Sequence, residues 1–335
     1  MKIAFHLTTP PPPVPGLDAA VQEVELLRSE FGGSLAHLYP AAAYRPWIPR
    51  RWLRGAQVRA LAEADGRVDL HHVTSDFLLD HPALRRLERP LVCRLLVCPP
   101  RPRDAIAPAR LYRAVVVSSP ADGDRLRSWG VDGVRVIPPG LDLPRFRRVG
   151  PPPAGPFTLM MASAPWTRRQ FATKGIDALL AAVRSRPRLR LVLLWRGVLL
   201  AEIERRVGRA GLGDRVEIAA GAVDVAEALG RAHVVVLAAT SRRVVKAYPH
   251  SLLEGLAAGR PVLTSPEIAL SDWVRDRGCG VVAACSPAAL GAALDRLERD
   301  YPAYRAATAG LDLEAFSRAS CLSAYRELFT SLAGR

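Results

Sequence analysis

Short runs of apolar residues alternate with helical patterns along almost the whole chain. In the first half, six runs have the length and composition of buried strands. They are KIAFHL, SLAHLY, VDLHHV, PLVCRLLV, AVVVSS and VRVIPP. The second half repeats the scheme with FTLMMAS, LRLVLLW, RVEIAAG, HVVVLAA, PVLTS and GVVAA. Strands and helices that alternate at this spacing predict parallel sheets with helices on both faces.

The segments between these runs carry apolar residues at helical spacing. One helix is expected after Asp18, a residue type that is favoured at helix N-caps, and another from Ile176. The other helical patterns include PADGDRLRSWG, LAEIERRVGRAG, AEALGRA and SLLEGLAAG. We therefore predict an α/β protein with two Rossmann-like domains that face a central cleft.

The length of 335 residues also favours two domains, because a single core rarely grows so large. The Pro/Gly-rich segment Val149–Pro156 is the best candidate for a linker. We expect a first Rossmann-like domain in 1–150, a second in 156–312, and in 313–335 a helix that returns toward the first domain.

Composition is that of an ordinary globular protein, with 49% hydrophobic and 24% charged residues. The sequence has no run of 18 apolar residues, so no membrane-spanning helix is expected. The first residues, MKIAFHLTTPPPP, end in prolines without a small-residue cleavage site, which predicts a strand rather than a signal peptide. Five cysteines, an odd number, favour reduced thiols and a cytoplasmic location.

The formal net charge of +15 is shared by both halves of the chain, and nearly all of the basic residues are arginine. Such a balance fits the recognition of phosphate groups. Compositional drift explains it equally well, so the charge alone does not identify a ligand.

Basic residues recur at the predicted carboxyl ends of the second set of strands, where ligands of such sheets bind. Arg168, Arg169, Lys174 and Arg196 lie in these loops, and a helix is predicted to begin near Ser251. Together they predict an anion site, with a diphosphate as its occupant. The alternative is a set of solvated loop cations.

Glu254 is unexpected in its helix, because its neighbours Leu252, Leu253, Leu256 and Ala257 are all apolar. Glutamate is almost never fully buried unless it is paired. We therefore expect Glu254 either to contact a ligand or to stabilise its own helix.

Three segments together resemble the GT-B glycosyltransferases, in particular the retaining enzymes of family 4. The segment Ser118–Phe146 is similar to the end of that family's N-terminal domain, and FTLMMASAPWTRRQFATKGIDALL is similar to the start of its donor domain. KAYPHSLLEGLAAGRPVLTS resembles the E-x7-E region and the strand that follows it. The order and spacing of these segments carry the resemblance, which extends over nearly the whole chain.

The resemblance implies roles for charged residues of the donor domain. Glu254 matches the second glutamate of E-x7-E, which accepts hydrogen bonds from the ribose hydroxyls. Lys174 matches the lysine that binds the donor diphosphate. Either Arg168 or Arg169 matches the arginine that accompanies it.

Backbone groups are also implied. The N–H groups of Ser251, Leu252 and Leu253 would face the phosphates, and Gly221 would lie along the base. Gly16 matches the glycine-rich loop that approaches the sugar and the acceptor.

Two positions depart from the family pattern. Lys246 occupies the place of the first glutamate, and an ammonium only donates hydrogen bonds. It would bind a sugar carboxylate, turn toward the diphosphate, or point to solvent. Leu96 stands about where the family has a histidine near the reacting carbon, and His72 is the nearest replacement, although His71 and His72 are also plausible as structural residues.

The expected reaction is the transfer of a hexosyl group from a UDP- or GDP-linked sugar, with retention. Arg169, Lys174 and His72 are the catalytic candidates. The resemblance implies front-face attack, in which the departing phosphate takes the proton of the acceptor, and it implies no cofactor and no metal. The alternatives are a non-catalytic protein that binds a nucleotide or glycan, and a nucleic-acid-binding protein with a basic cleft.

The segment Tyr44–Arg59 mixes aromatic residues with five arginines and no acid. This composition suits an anionic membrane surface, a lipid-linked acceptor or a glycan, but it is equally that of a loop and a solvated helix face. Nucleic acid is less favoured because no reader motif accompanies the segment. A peripheral position on the inner face of a membrane would follow from the first option.

Overall fold

The computed structural model describes residues 1–8, 18–38, 61–80, 82–195 and 198–333. The chain divides into two compact units. The first combines Met1–Gly140 with Ala315–Arg335, and the second is Leu141–Glu314. Each unit has a six-stranded sheet in which all the paired strands are parallel.

The twelve strands coincide with the twelve apolar runs of the sequence, which confirms the predicted α/β class. The first sheet contains β1 (Ile3–Leu7), β2 (Ser34–His37), β3 (Leu70–Ser75), β4 (Leu91–Leu95), β5 (Ala114–Val117) and β6 (Val134–Val136), in the order β2-β1-β3-β4-β5-β6. The second contains β7 (Thr158–Met161), β8 (Arg190–Trp195), β9 (Val216–Ala220), β10 (Val234–Leu237), β11 (Val262–Thr264) and β12 (Gly280–Val282), in the order β12-β11-β10-β7-β8-β9.

Helices connect the strands in both units. They are α1 (Ala19–Phe31), α2 (Ile106–Ala109), α3 (Pro120–Ser128), α4 (Leu143–Arg147), α5 (Gln170–Thr173), α6 (Ile176–Arg184), α7 (Leu200–Arg209), α8 (Val225–Arg231), α9 (His250–Ala257), α10 (Leu270–Arg277), α11 (Pro287–Arg299), α12 (Tyr301–Ala309) and α13 (Arg318–Ala333). Residues 61–65 are also helical.

Side-chain caps explain where several helices begin. The carboxylate of Asp18 accepts a hydrogen bond of 2.7 Å from the backbone N–H of Ala20, as its position before α1 predicts. At α3, the hydroxyl of Ser119 accepts from the N–H of Asp122 at 3.2 Å. Pro120 follows this cap as the first helical residue, where its missing N–H has no consequence.

The last helix belongs to the first unit, as predicted. α13 packs on α1 and β3. It buries Tyr325 and Phe329 against the face of the sheet that also carries Phe5. The C-terminal residues therefore complete a core whose strands come from the first 140 residues.

The change from the first unit to the second falls at 140/141, before the predicted linker at 149–156. Three contacts explain the difference. α4 packs against α9, and Arg145 forms an ion pair of 2.7 Å with Asp224. In addition, the guanidinium of the buried Arg260 donates to the carbonyl of Gly150.

Within the described residues, no helix combines the length and the apolar character that are needed to span a bilayer. None of the five cysteines forms a disulfide.

Candidate functional site

The strand order of the second sheet has a switch point between β7 and β10. The chain adds β8 and β9 on one side of β7, and it then returns to add β10, β11 and β12 on the other side. Ligands of open α/β sheets bind outside the carboxyl ends of the strands at such a point. The segments that follow β7, β10 and β11 are therefore the candidate site.

Hydrogen bonds hold these three segments together. The N–H of Thr240, after β10, donates to the carbonyl of Thr173 at 2.9 Å. The hydroxyl of Ser265, after β11, accepts from the N–H of Ala239 and donates to its carbonyl, both at 2.9 Å. The N–H of Leu270 donates to the carbonyl of Ala247 at 3.2 Å. The backbone is thus fixed before a ligand arrives.

Lys174 lies at this edge, as expected. Its Nζ atom donates to the carbonyl oxygen of Ala164, in the segment after β7, at 3.2 Å. Gly175 follows with φ of +70°, and a Cβ atom there would lie 2.8 Å from both Ala238 O and Cys285 Sγ. Gly175 is therefore needed in this place, because only glycine lets the chain turn into α6 against β10.

The two candidate arginines differ in their surroundings. The Arg168 side chain is 78% exposed, and its Nε atom lies 3.7 Å from the carboxylate of Glu202 on α7. Arg169 is exposed and directly precedes α5. Arg168 is thus near a buried carboxylate that Arg205 and Arg206 already pair with, and Arg169 is the better candidate for a ligand contact.

The first turn of α9 offers backbone N–H groups at the same edge. Its N-cap residue, Pro249, provides no side-chain acceptor. The N–H of Leu253 donates to the carbonyl of Pro249 at 3.3 Å, so it already has a backbone acceptor within the helix. Ser251 and Leu252 are buried in this uncapped turn, and their N–H groups keep the predicted role as a hypothesis.

Glu254 is partly buried, one turn into α9. Gly221 follows β9 with φ of +94°, and its N–H donates to the carbonyl of Trp195 at 3.2 Å. Both lie in the second unit with Lys174, and Gly221 is at the carboxyl end of the edge strand. Gly16 and Arg196, like the segment 44–59, lie outside the described residues.

Lys246 lies between β10 and α9. Its ammonium nitrogen is buried and forms no hydrogen bond. The segment around it is fixed by the bond from Leu270 to Ala247. The solvent option that the sequence left open is therefore excluded.

The structure contradicts the catalytic candidate His72. It is the third residue of β3 and is 0% exposed, so it is not at a strand end. Its ring packs against Phe5, Tyr325 and Phe329, with ring centroids 5.4, 5.6 and 5.9 Å away. Leu96 is likewise packed in the core of the first unit.

Sequence reasoning missed three polar side chains at the edge of the second sheet. The buried hydroxyls of Thr173 and Thr264 and one buried carboxylate oxygen of Glu267 have no hydrogen-bond partner among the described residues. Thr173 directly precedes the Lys-Gly pair, and Glu267 follows the strand PVLTS. These two positions in the sequence could have indicated both residues.

A further buried polar chain lies in the first unit. Nε2 of His6 is 3.2 Å from Nδ1 of His71, whose Nε2 is 3.1 Å from the carboxylate of Asp65. Asp65 also accepts from the N–H groups of Glu88 and Arg89. Burial lowers the pKa of His6 to about 3, with smaller contributions from His71 and another histidine nearby.

Across the described part of the chain, no group of three His, Cys, Asp or Glu side chains is arranged to hold a metal ion.

Part of the second unit matches a known protein family. Residues 166–309 match the family described as glycosyl transferases group 1. The matched segment begins after β7 and contains Lys174, Lys246 and Glu254. No curated protein matches the sequence.

Solved structures share the fold over the whole chain. HepE of Anabaena, in complex with UDP and glucose, has a TM-score of 0.75 and 17% identity, with 99% of this chain and 100% of that chain covered. Sucrose-phosphate synthase from Thermosynechococcus elongatus has a TM-score of 0.72 and 19% identity over the same shares. WaaG, a glycosyltransferase involved in lipopolysaccharide biosynthesis, has a TM-score of 0.66 and 16% identity, again over 99% and 100%.

At these identities the structural likeness shows the fold, and the family match adds the class of enzyme. The two parallel sheets are those of the GT-B architecture. The chain is therefore a glycosyltransferase of the GT-B fold, and residues 166–309 of its second unit match the family of glycosyl transferases group 1.

Proposed function

We propose that the protein transfers a hexosyl group from a nucleoside diphosphate sugar to an acceptor hydroxyl, with retention. The observation that carries this proposal is the edge of the second sheet at its switch point. There the chain collects Lys174, the buried ammonium of Lys246 and the uncapped first turn of α9. A diphosphate is the group that these donors fit best.

A uridine nucleotide is the first donor to test. HepE of Anabaena was solved with UDP and with UDP-glucose, and it shares the fold of this chain from end to end. The GDP-linked sugars remain the alternative that the sequence left open. In either case the nucleotide sugar is a substrate, and we propose no separate cofactor.

Four residues of the second unit have roles in this proposal. Lys174 and Arg169 stabilise the leaving diphosphate as its negative charge develops. Glu254 accepts hydrogen bonds from the ribose hydroxyls. Glu267, whose buried carboxylate oxygen has no partner, accepts from a sugar hydroxyl in place of the glutamate that Lys246 replaces.

A group in the site must accept the proton of the acceptor hydroxyl. Because His72 is buried in the first unit, we assign it no part in the reaction. The departing phosphate oxygen accepts the proton of the attacking hydroxyl on the same face of the sugar, which gives retention without a carboxylate nucleophile.

If Lys174 binds the phosphates, its replacement should affect the binding of a nucleotide but not that of a nucleoside. Lys174→Ala should weaken UDP binding by about 1.5–3 kcal/mol, the range of a hydrogen bond to a charged group, and should leave uridine unaffected. Glu254→Gln should weaken uridine and UDP alike, because both carry the ribose. Titration calorimetry with the two ligands measures these differences.

Lys2→Ala is a matched control, since Lys2 is an exposed lysine of the first unit. It should bind both ligands like the wild type. Equal losses of uridine and UDP in Lys174→Ala would show that Lys174 does not bind the phosphates.

A non-catalytic nucleotide-binding protein is the second candidate. Two departures favour it, namely Lys246 in place of a glutamate and Leu96 packed in the core where the family has a histidine. Release of UDP from a panel of UDP-sugars distinguishes the two, because only an enzyme turns the donor over.

A further inference from the structure

Lys246 is one of few lysines in a chain whose basic residues are nearly all arginine. The sequence contains 44 arginines but only three lysines, Lys2, Lys174 and Lys246. Two of the three follow β7 and β10, the strands on either side of the switch point. A lysine presents one compact charge rather than a planar fork, which suits a small site next to packed backbone.

The ammonium of Lys246 is buried, and none of the described residues accepts a hydrogen bond from it or forms an ion pair with it. A buried cation without a partner is unfavourable, and native proteins keep few such groups without a reason. The arrangement is understandable if a ligand supplies the missing negative charge.

Thr264 adds a second donor on the same side of the sheet. A Cβ atom at Gly255 of α9 would lie 2.5 Å from the side chain of Val235, so α9 packs directly on that face of β10. Leu237 shares the face with Val235 and pairs with Thr264 in the sheet register. The Thr264 side chain therefore lies on the α9 side at the carboxyl end of β11.

Three kinds of hydrogen-bond donor thus belong to the carboxyl-terminal end of β11 and to the segment that leads from β10 into the first turn of α9. They are the ammonium of Lys246, the hydroxyl of Thr264, which is 0% exposed and has no partner, and the uncapped N–H groups of α9. An anionic oxygen satisfies all of them.

We propose that Lys246 binds an anionic oxygen of the donor, supplied by its diphosphate or by a carboxylate on its sugar. This assignment rests on the proposed function. The site then recognises an acidic group of the donor. A glutamate in the place of Lys246 would repel that group.

The test compares Lys246→Met with Arg243→Met, a matched change of an exposed basic residue in the same loop. Both variants are titrated with uridine, UDP, UDP-glucose and UDP-glucuronate, and their thermal unfolding is measured without ligand. Lys246→Met should bind at least one of the charged ligands about tenfold or more weakly and leave uridine unchanged. Its Tm without ligand should rise by about 2–4 °C, because a buried unpaired charge is removed.

The pattern of losses identifies the anion. Equal losses for UDP, UDP-glucose and UDP-glucuronate assign Lys246 to the diphosphate. A loss confined to UDP-glucuronate, with wild type preferring that donor over UDP-glucose, assigns it to a sugar carboxylate.

Other results overturn the proposal. Unchanged binding of all four ligands in Lys246→Met, while Lys174→Ala still weakens UDP, would remove Lys246 from the site and leave the proposed function standing. A lower Tm would show that the ammonium already has a partner in the free protein. A wild type that binds none of the four ligands would refute the proposed function and this assignment together.

Discussion

His72 is held neutral by its place in the core of the first unit. Its side chain is 0% exposed, its ring contacts are aromatic, and both ring nitrogens lack hydrogen-bond partners. Burial lowers its pKa to about 3, and the nearby charge of Arg94 contributes in the same direction. In the unfolded chain the same imidazole titrates near pH 6.5. Protons therefore bind more readily to the unfolded state than to the folded one in the interval between these values.

The first unit should lose stability as the pH falls below about 6.5. Each histidine with such a lowered pKa contributes a slope of up to about 1.4 kcal/mol per pH unit, because the unfolded state gains a proton that the folded state does not. His72→Phe should reduce this slope, whereas Phe5→Leu, a change in the same cluster, should lower stability equally at every pH. Denaturant unfolding at pH 7.5, 6.5 and 5.5 measures both slopes, and an undiminished slope in His72→Phe would contradict the neutral state of His72.

At the scale of elements, one buried ion pair joins α1 to the first sheet. Arg94 Nε on β4 lies 2.7 Å from the carboxylate of Glu23 on α1, and the side chains are 1% and 3% exposed. The same guanidinium donates to the carbonyl of Ile137, just after β6, at 2.7 Å. The pair therefore fixes the position of α1 relative to two strands.

Replacing one partner of this pair should lower the stability of the first unit more than replacing both partners. Glu23→Gln should destabilise the first unit by about 3–5 kcal/mol, because a buried guanidinium loses its counter-charge. The double variant Glu23→Leu/Arg94→Met should lose less, since no unpaired charge remains. Urea denaturation of the two variants decides the order. A double variant that is less stable than Glu23→Gln would show that the pair itself provides net stability.

The sequence predicted the elements better than it predicted the partners of side chains. The strands were evident because runs such as AVVVSS and HVVVLAA suit buried parallel strands, and Asp18 marked the start of α1. The burial of His72 was not evident, because α13, which covers it, lies some 250 residues later in the chain. The choice between Arg168 and Arg169 likewise depended on Glu202, a residue of another helix.

At the scale of the whole molecule, the two units differ in how the chain builds them. The second is one continuous segment, Leu141–Glu314, and contains Lys174, Lys246 and Glu254. The first needs two distant segments, because α13 supplies Tyr325 and other core residues from the C-terminal end. The second unit is thus separable along the chain, and the first is not.

Expressed alone, residues 141–314 should fold cooperatively and bind UDP, with Lys174→Ala in the same fragment weakening that binding. Residues 1–140 alone should not fold, because Tyr325, Leu328 and Phe329 each contribute about 1.5–3 kcal/mol by burial, and their loss leaves an apolar face of the sheet uncovered. Addition of residues 315–335 through a flexible linker should restore a cooperative transition. Circular dichroism melts and UDP titration measure these outcomes.

If residues 1–140 melted cooperatively without α13, the C-terminal helix would not be part of the minimal core. If 141–314 folded but ignored UDP, residues outside the second unit would be required for binding the nucleotide.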